Sequence, residues 1–152
     1  MARTSDRALA SLTAVWLVAG LVGCQRGPDI VTSIVFDGAV RSITTSEVSC
    51  TKQPDGALVI LVKAMPSQTV RAQLTEQGRI VVQKVGLRHG DWAGYVQDPR
   101  EVTATKVDDS YTFTGRMPPN PGESQWHTFK IETTCPNYVD APPPREPGLG
   151  AP

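Results

Sequence analysis

The sequence predicts a mainly β fold: a single sandwich-like domain of about eight antiparallel strands, with little helix and one disulfide. Three observations carry that expectation. Apolar and polar residues alternate over many short runs, and turn pairs separate those runs. Beyond the N-terminal segment no stretch keeps a convincing helical period. Two cysteines, Cys50 and Cys135, stand far apart in strand-like contexts.

The elements follow in chain order. "SIVFDG" sets Ile34 and Phe36 on one face and ends at the turn pair Asp37-Gly38. "SEVSCTK" points Val48 and Cys50 together, and Pro54-Asp55-Gly56 turns the chain. "ALVILVK" is almost unbroken and suits a central strand covered on both faces. Pro66 stops it. "TVRAQL" and "RIVVQKVGL" flank a break at Glu76-Gln77-Gly78, although Ser67 to Glu76 also admits a turn or two of helix. His89-Gly90-Asp91 reads as a loop and "WAGYV" as a short strand. "EVTATKV" and "SYTFTGRM" sit either side of Asp108-Asp109, with Tyr111, Phe113 and Met117 on one face. The Pro-rich stretch Pro118 to Gly122 is a loop. "QWHTFKIETTC" is the cleanest strand, with His127, Phe129, Ile131, Thr133 and Cys135 facing one way. The domain is expected over residues 30–137. Residues 138–152 are too rich in Pro and Gly to pack and are expected to be disordered. An immunoglobulin-like sandwich fits poorly: Thr133 stands where its corner Tyr should, and Trp92 lies far downstream of the first Cys.

Composition narrows the partners. The 152 residues carry 15 Lys+Arg and 15 Asp+Glu, so the net charge is zero and nucleic acid is an unsuitable partner. The N-terminal segment is more telling. Arg3 and Arg7 precede an uncharged apolar run from Ala8 to Val22. As a helix that run rises about 22 Å, short of the roughly 30 Å hydrocarbon core. It therefore reads as a secretory signal over residues 1–23 rather than a span. Its end, Leu21-Val22-Gly23-Cys24, resembles the bacterial lipobox. In that motif the Cys thiol takes a diacylglyceryl group and a dedicated peptidase cuts before it, the small Gly23 leaving the bond accessible. Two or three fatty chains hold a protein stably on a bilayer, where one does not. Cys24 is then the membrane attachment point, and residues 24–29 a short tether on the extracytoplasmic side. Five residues from Gln25 to Asp29 span at most roughly 18 Å.

Export places the chain in an oxidising compartment, where Cys50 and Cys135 read as a disulfide; two separate buried thiols are the alternative. Two sulfurs so far apart, with only His89 and His127 to help, match no zinc spacing, and no metal or cofactor is expected. Catalysis finds no motif: no G-x-S-x-G, H-E-x-x-H or Gly-rich phosphate loop is present. His89 reads as a solvated loop residue, His127 as a partly buried residue near a strand's start, and Asp108-Asp109 as a solvated turn. A hydrolase would need one histidine within about 3 Å of a Ser, Thr or carboxylate in an open cleft.

Taken together, the lipobox, "FDG", "SEVSCTK", "DGALVILV", "VQKVGL", "GYV", "VTATKVDDSYTFTGRM" and "TFKIETTC" resemble the mycobacterial nineteen-kilodalton lipoprotein antigen family from about Phe36 to Cys135. The resemblance implies an exported, acylated envelope protein with a β-rich domain, without enzymatic activity. It implies acylation at Cys24, a Cys50–Cys135 bridge, and sensing of the lipid by host Toll-like receptor 2. It also implies an alternative role, carriage of an apolar or glycolipid ligand, which requires a concave apolar pocket on the order of 300 Å³ or more. Two features depart from the family pattern. The tether is far shorter than the family's Ser/Thr/Gly/Ala-rich linker with its O-linked sugars, and the Pro-rich tail has no counterpart.

Overall fold

The computed structural model describes residues 26–142. Eleven strands follow one another: β1 (Ile30–Phe36), β2 (Ala39–Thr45), β3 (Val48–Lys52), β4 (Ala57–Met65), β5 (Gln68–Thr75), β6 (Val81–His89), β7 (Trp92–Val96), β8 (Val102–Val107), β9 (Ser110–Met117), β10 (His127–Thr134) and β11 (Tyr138–Asp140). One sheet has the order β2-β1-β10-β9-β8 and the other β11-β3-β4-β5-β6-β7. Neighbours pair antiparallel, except that β11 runs parallel to β3. The expected mainly β sandwich is the fold, and a disulfide joins Cys50 to Cys135 across 85 residues.

Period-two patterning explains how the sheets face each other. In β10, Phe129, Ile131 and Thr133 are buried between exposed Thr128, Lys130 and Glu132. In β9, Tyr111, Phe113 and Met117 point inward. The opposite sheet answers with Leu58, Ile60 and Val62 from β4 and Val70, Ala72 and Leu74 from β5. One polar pair lies inside: the hydroxyls of Thr32 and Thr133 bond each other at 2.8 Å, so neither is left unpartnered.

The sheets pack crosswise. Thr45 of β2 donates to the Lys63 carbonyl on β4, the Ser42 carbonyl meets His89 at the end of β6, and Arg41 meets Asp91 just before β7. Successive β2 residues thus meet successive strands of the other sheet, so β2 runs across their ends, as in orthogonal sandwiches. At the opposite side, Lys106 of β8 and Tyr111 of β9 meet Glu76, just past β5.

Several sequence expectations need correction. There are eleven strands among the described residues rather than about eight. The sequence shows no strand signal for β2, because its first half, Ala39 to Ser42, lies at an open edge with no buried residue and shows no alternation. Tyr138–Asp140, expected within a disordered tail, forms β11. The disulfide holds Cys135 against β3, and Ala141 N–H bonds the Lys52 carbonyl at 2.8 Å, so backbone pairing outweighs composition there. Residues 143–152 of the expected tail lie outside the described residues. Ser67 to Glu76 carries strand β5, not helix. β4 is central as expected, but Val59 and Leu61 on its outer face are only half-buried, so it is covered on one face. His89 closes β6 rather than sitting in a loop.

Candidate functional site

β1 begins at Ile30, next to the expected tether and so at the tether end of the domain, and runs to Phe36, about 20 Å away along the strand. Its partners share that polarity. Val31 lies level with Thr44, and Ser33 with Glu132, which brings Cys135 to the tether end. Phe36 lies level with Phe129, which brings His127 to the far end. The polar clusters fall at these two ends.

The far-end cluster starts at the turn Asp37-Gly38, whose φ values of 48° and 81° give the two-residue hairpin turn matching strand twist. A non-glycine residue at positive φ needs fixing in place. Asp37 donates its N–H to the Thr128 carbonyl at 2.9 Å and accepts the Thr128 N–H on Oδ1 at 2.8 Å. Its Oδ2 accepts from His127 Nδ1 at 2.6 Å. Glu123 accepts from the other ring nitrogen, Nε2, also at 2.6 Å. Both nitrogens donate at once only in the imidazolium form. Accordingly, the hydrogen bonds to Asp37 and then Glu123 hold the His127 pKa above its ordinary value. Burial pushes Asp37 up, but His127 and Thr128 outweigh it and leave the carboxyl below its usual range. His127 likewise lowers Glu123.

The loop of residues 118–126 is fixed by the same groups. Asn120 donates to Glu123 from its backbone at 3.0 Å and from Nδ2 at 3.1 Å, and Nδ2 also reaches the Ala93 carbonyl on β7 at 2.9 Å. Beneath lies an aromatic row. The His127 ring stacks on Phe36 with centroids 4.8 Å apart, and Phe36 stacks on Trp92 at 5.6 Å. The Arg41 guanidinium lies 3.9 Å from the Trp92 centroid and donates to Asp91 at 2.7 Å. A cleft of about 300 Å³ opens here, bordered by Asp37, Asp91, Trp92, Asn120, Glu123 and His127.

The tether-end cluster is quieter. The buried Tyr111 hydroxyl donates to Glu76 at 2.7 Å and lies 3.2 Å from the Tyr138 hydroxyl, which also donates to Asp109 at 3.0 Å. Burial pushes the Tyr111 phenol up, so it stays a neutral donor. Burial opposes the charge on Lys106, but the Glu76 carboxylate at 3.2 Å outweighs it and raises the ammonium's pKa. The adjoining cleft, about 380 Å³, is bordered by Lys52, Glu76, Lys106, Tyr138 and Asp140.

The geometry decides what these groups can do. His127 meets the distance a hydrolase requires, since two carboxylates lie within 3 Å in an open cleft. Both ring nitrogens donate to carboxylates, Asp37 and Glu123, and no Ser or Thr hydroxyl is among the ring's hydrogen-bond partners. His89 donates Nε2–H toward the Ser42 carbonyl at 3.2 Å, and its buried Nδ1 has no partner. The two histidines, far apart in sequence, thus flank one corner. Among the described residues, no group of three His, Cys, Asp or Glu side chains is placed to hold a metal ion. Between the sheets, Tyr111, Phe113, Ile34, Ile43 and Leu74 are fully buried and fill the space a carrier's apolar pocket would need.

Of the residues singled out from sequence, Cys50 and Cys135 are brought together. Cys24 and the lipobox residues Leu21, Val22 and Gly23 lie outside the described residues. The sequence marks Asp37 only as a turn residue and Asn120 only as a loop residue, and it gives no reading of Glu123. No spacing rule joins Asp37 to His127, because β1–β10 pairing alone makes them neighbours.

The family model described as Mycobacterium 19 kDa lipoprotein antigen matches residues 26–135. No curated protein matches the chain.

Proposed function

We propose, from the premise that this chain belongs to the mycobacterial 19 kDa lipoprotein antigen family, that it is exported, acylated on Cys24 and displayed on the extracytoplasmic side of the cell membrane. In this reading residues 1–23 are a signal peptide, removed before the Cys. The protein acts without enzymatic chemistry, as an antigen whose lipid is sensed by host Toll-like receptor 2. One observation carries the reading: Leu21-Val22-Gly23-Cys24 ends an apolar run six residues ahead of Ile30, where the folded domain begins. A fatty group on Cys24 therefore holds the domain against the bilayer surface.

The alternative, an apolar or glycolipid carrier, draws less support. The interior is filled by side chains, and the clefts lie on the surface at strand ends and loops.

The test compares the native chain with a non-acylated form, residues 25–152 made without the signal segment, in a detergent phase partition and a Toll-like receptor 2 reporter assay. The native chain should enter the detergent phase and stimulate the reporter, and the non-acylated form should do neither. Equal reporter stimulation by the two proteins would refute sensing through the lipid.

A further inference from the structure

A third cleft, of about 280 Å³, lies at the seam where edge strand β7 of one sheet meets the end of β9 and the loop of residues 118–126. Two aromatic rings line it, Tyr95 and Trp126, at 49% and 47% exposure. Neither is needed by the core. Tyr95 stands on the outer face of β7, above Gly86, which supplies no side chain to cover it. Trp126 stands on the outer face just before β10, beside the Arg116 guanidinium, 5.2 Å from its ring centroid.

The rest of the lining is Val96, Gln97, Asp98, Glu101 and Pro118, and each of its two carboxylates is paired with an arginine just outside the cleft. Asp98 accepts two bonds from Arg100, at 3.1 and 2.9 Å. Glu101 Oε2 accepts two from Arg116, at 3.0 and 2.8 Å. The Tyr95 hydroxyl donates to Gln97 Oε1 at 2.9 Å. Each carboxylate is matched by a guanidinium, so neither a cation nor an anion finds an unbalanced partner. Their remaining lone pairs and N–H groups still offer oriented acceptors and donors. The ligand that fits presents apolar C–H faces to the rings and hydroxyls to the planar polar groups, and carries no charge.

We infer that the Tyr95–Trp126 cleft binds a neutral saccharide, one or two pyranose units of a glycan chain stacked on the two rings. Position selects the source. Arg116 pairs with Thr128, at the end of the sheet away from the tether. With the domain standing on the proposed anchor at Cys24, the cleft lies about 20 Å farther from the bilayer than the strand end at Ile30. The occupant is a polysaccharide outside the membrane. Asn120 and Glu123 anchor the loop that carries Trp126, so the far-end ion cluster positions this wall.

The test uses the full acylated chain in detergent micelles, titrated with neutral hexose tri- to hexasaccharides of differing linkage and followed by tryptophan emission and saturation-transfer NMR. At least one neutral oligosaccharide should bind and perturb Trp126. Trp126→Ala and Tyr95→Ala should each weaken it about tenfold or more, while Val40→Ala, at an exposed site elsewhere, should not. Absence of binding by every neutral probe up to about 10 mM would overturn the assignment. Binding unchanged in both aromatic variants would do the same, as would binding only to charged oligosaccharides or only to vesicles carrying a glycosylated lipid.

Discussion

The two ends of the sandwich are held by different chemistry. At the tether end, the Cys50–Cys135 bridge and the neutral Tyr111 hydroxyl tie the sheets together. At the far end the work falls to His127, Asp37, Glu123 and the Arg41–Asp91 pair, all titratable or exposed. The first end is fixed by a covalent bond and the hydrogen bond of a buried phenol, with the Lys106–Glu76 ion pair beside them. The second depends on protonation state. The covalently fixed end is thus the one where the chain enters the domain at Ile30, and the titratable contacts lie at the opposite end.

Breaking the tether end should give the largest effect. Replacing both Cys50 and Cys135 by Ser should cost about 2 to 5 kcal/mol, because the bridge closes a long loop, and should expose the β11 amides to hydrogen exchange. Urea unfolding with exchange monitoring checks both. A loss under about 1 kcal/mol would mean that the crosswise core alone holds this end.

Gly115→Ala comes next, and it breaks the far end's frame. A Cβ there would run into the Glu101 carbonyl oxygen and the Val102 Cα, backbone atoms that cannot swing aside. The expected cost is about 1 to 3 kcal/mol in thermal or urea unfolding.

Tyr111→Phe probes the tether end without disturbing its packing. It leaves Glu76 without its buried donor and should cost about 1 to 2 kcal/mol. The loss should be nearly the same from pH 5 to 8, because the neutral phenol does not titrate there.

The smallest effect separates the ends most cleanly. His127→Gln should destabilise the protein most where the imidazolium exists, above a pH-independent loss of the ring's stacking on Phe36. A raised His pKa gives stability that is complete below about 6.5 and is lost as pH rises through the elevated value. The lowered pKa values of Asp37 and Glu123 give stability present above the usual carboxylate range and lost as pH falls through the depressed values. The difference between native and variant proteins should therefore peak between those limits and fade toward alkaline pH. A difference that grew with pH would reverse the assigned protonation state.

The fold was legible because alternation in β9 and β10 is nearly uninterrupted, and period two leaves few other solutions. β2 was not, because an edge strand that crosses the ends of the other sheet needs no apolar alternation in Ala39 to Ser42. β11 was hidden by prolines, and it is held by the bridge at Cys135, the ladder to β3 and the Tyr138 hydroxyl bonds, none of which is local in sequence. The site was legible in part. The proposed lipobox is a local motif, Leu21 to Cys24, and can be read along the chain. The His127 cluster and the Tyr95–Trp126 cleft are products of strand register and sheet crossing. Asp37 and His127 are 90 residues apart, and nothing local to either names the other.

The most direct measurement is the intact mass and N-terminal peptide of the protein taken from its own membrane. The account predicts a chain that begins at Cys24 with diacylglyceryl and fatty acyl mass on that residue. An unmodified Cys24, or a chain still carrying residues 1–23, would contradict it.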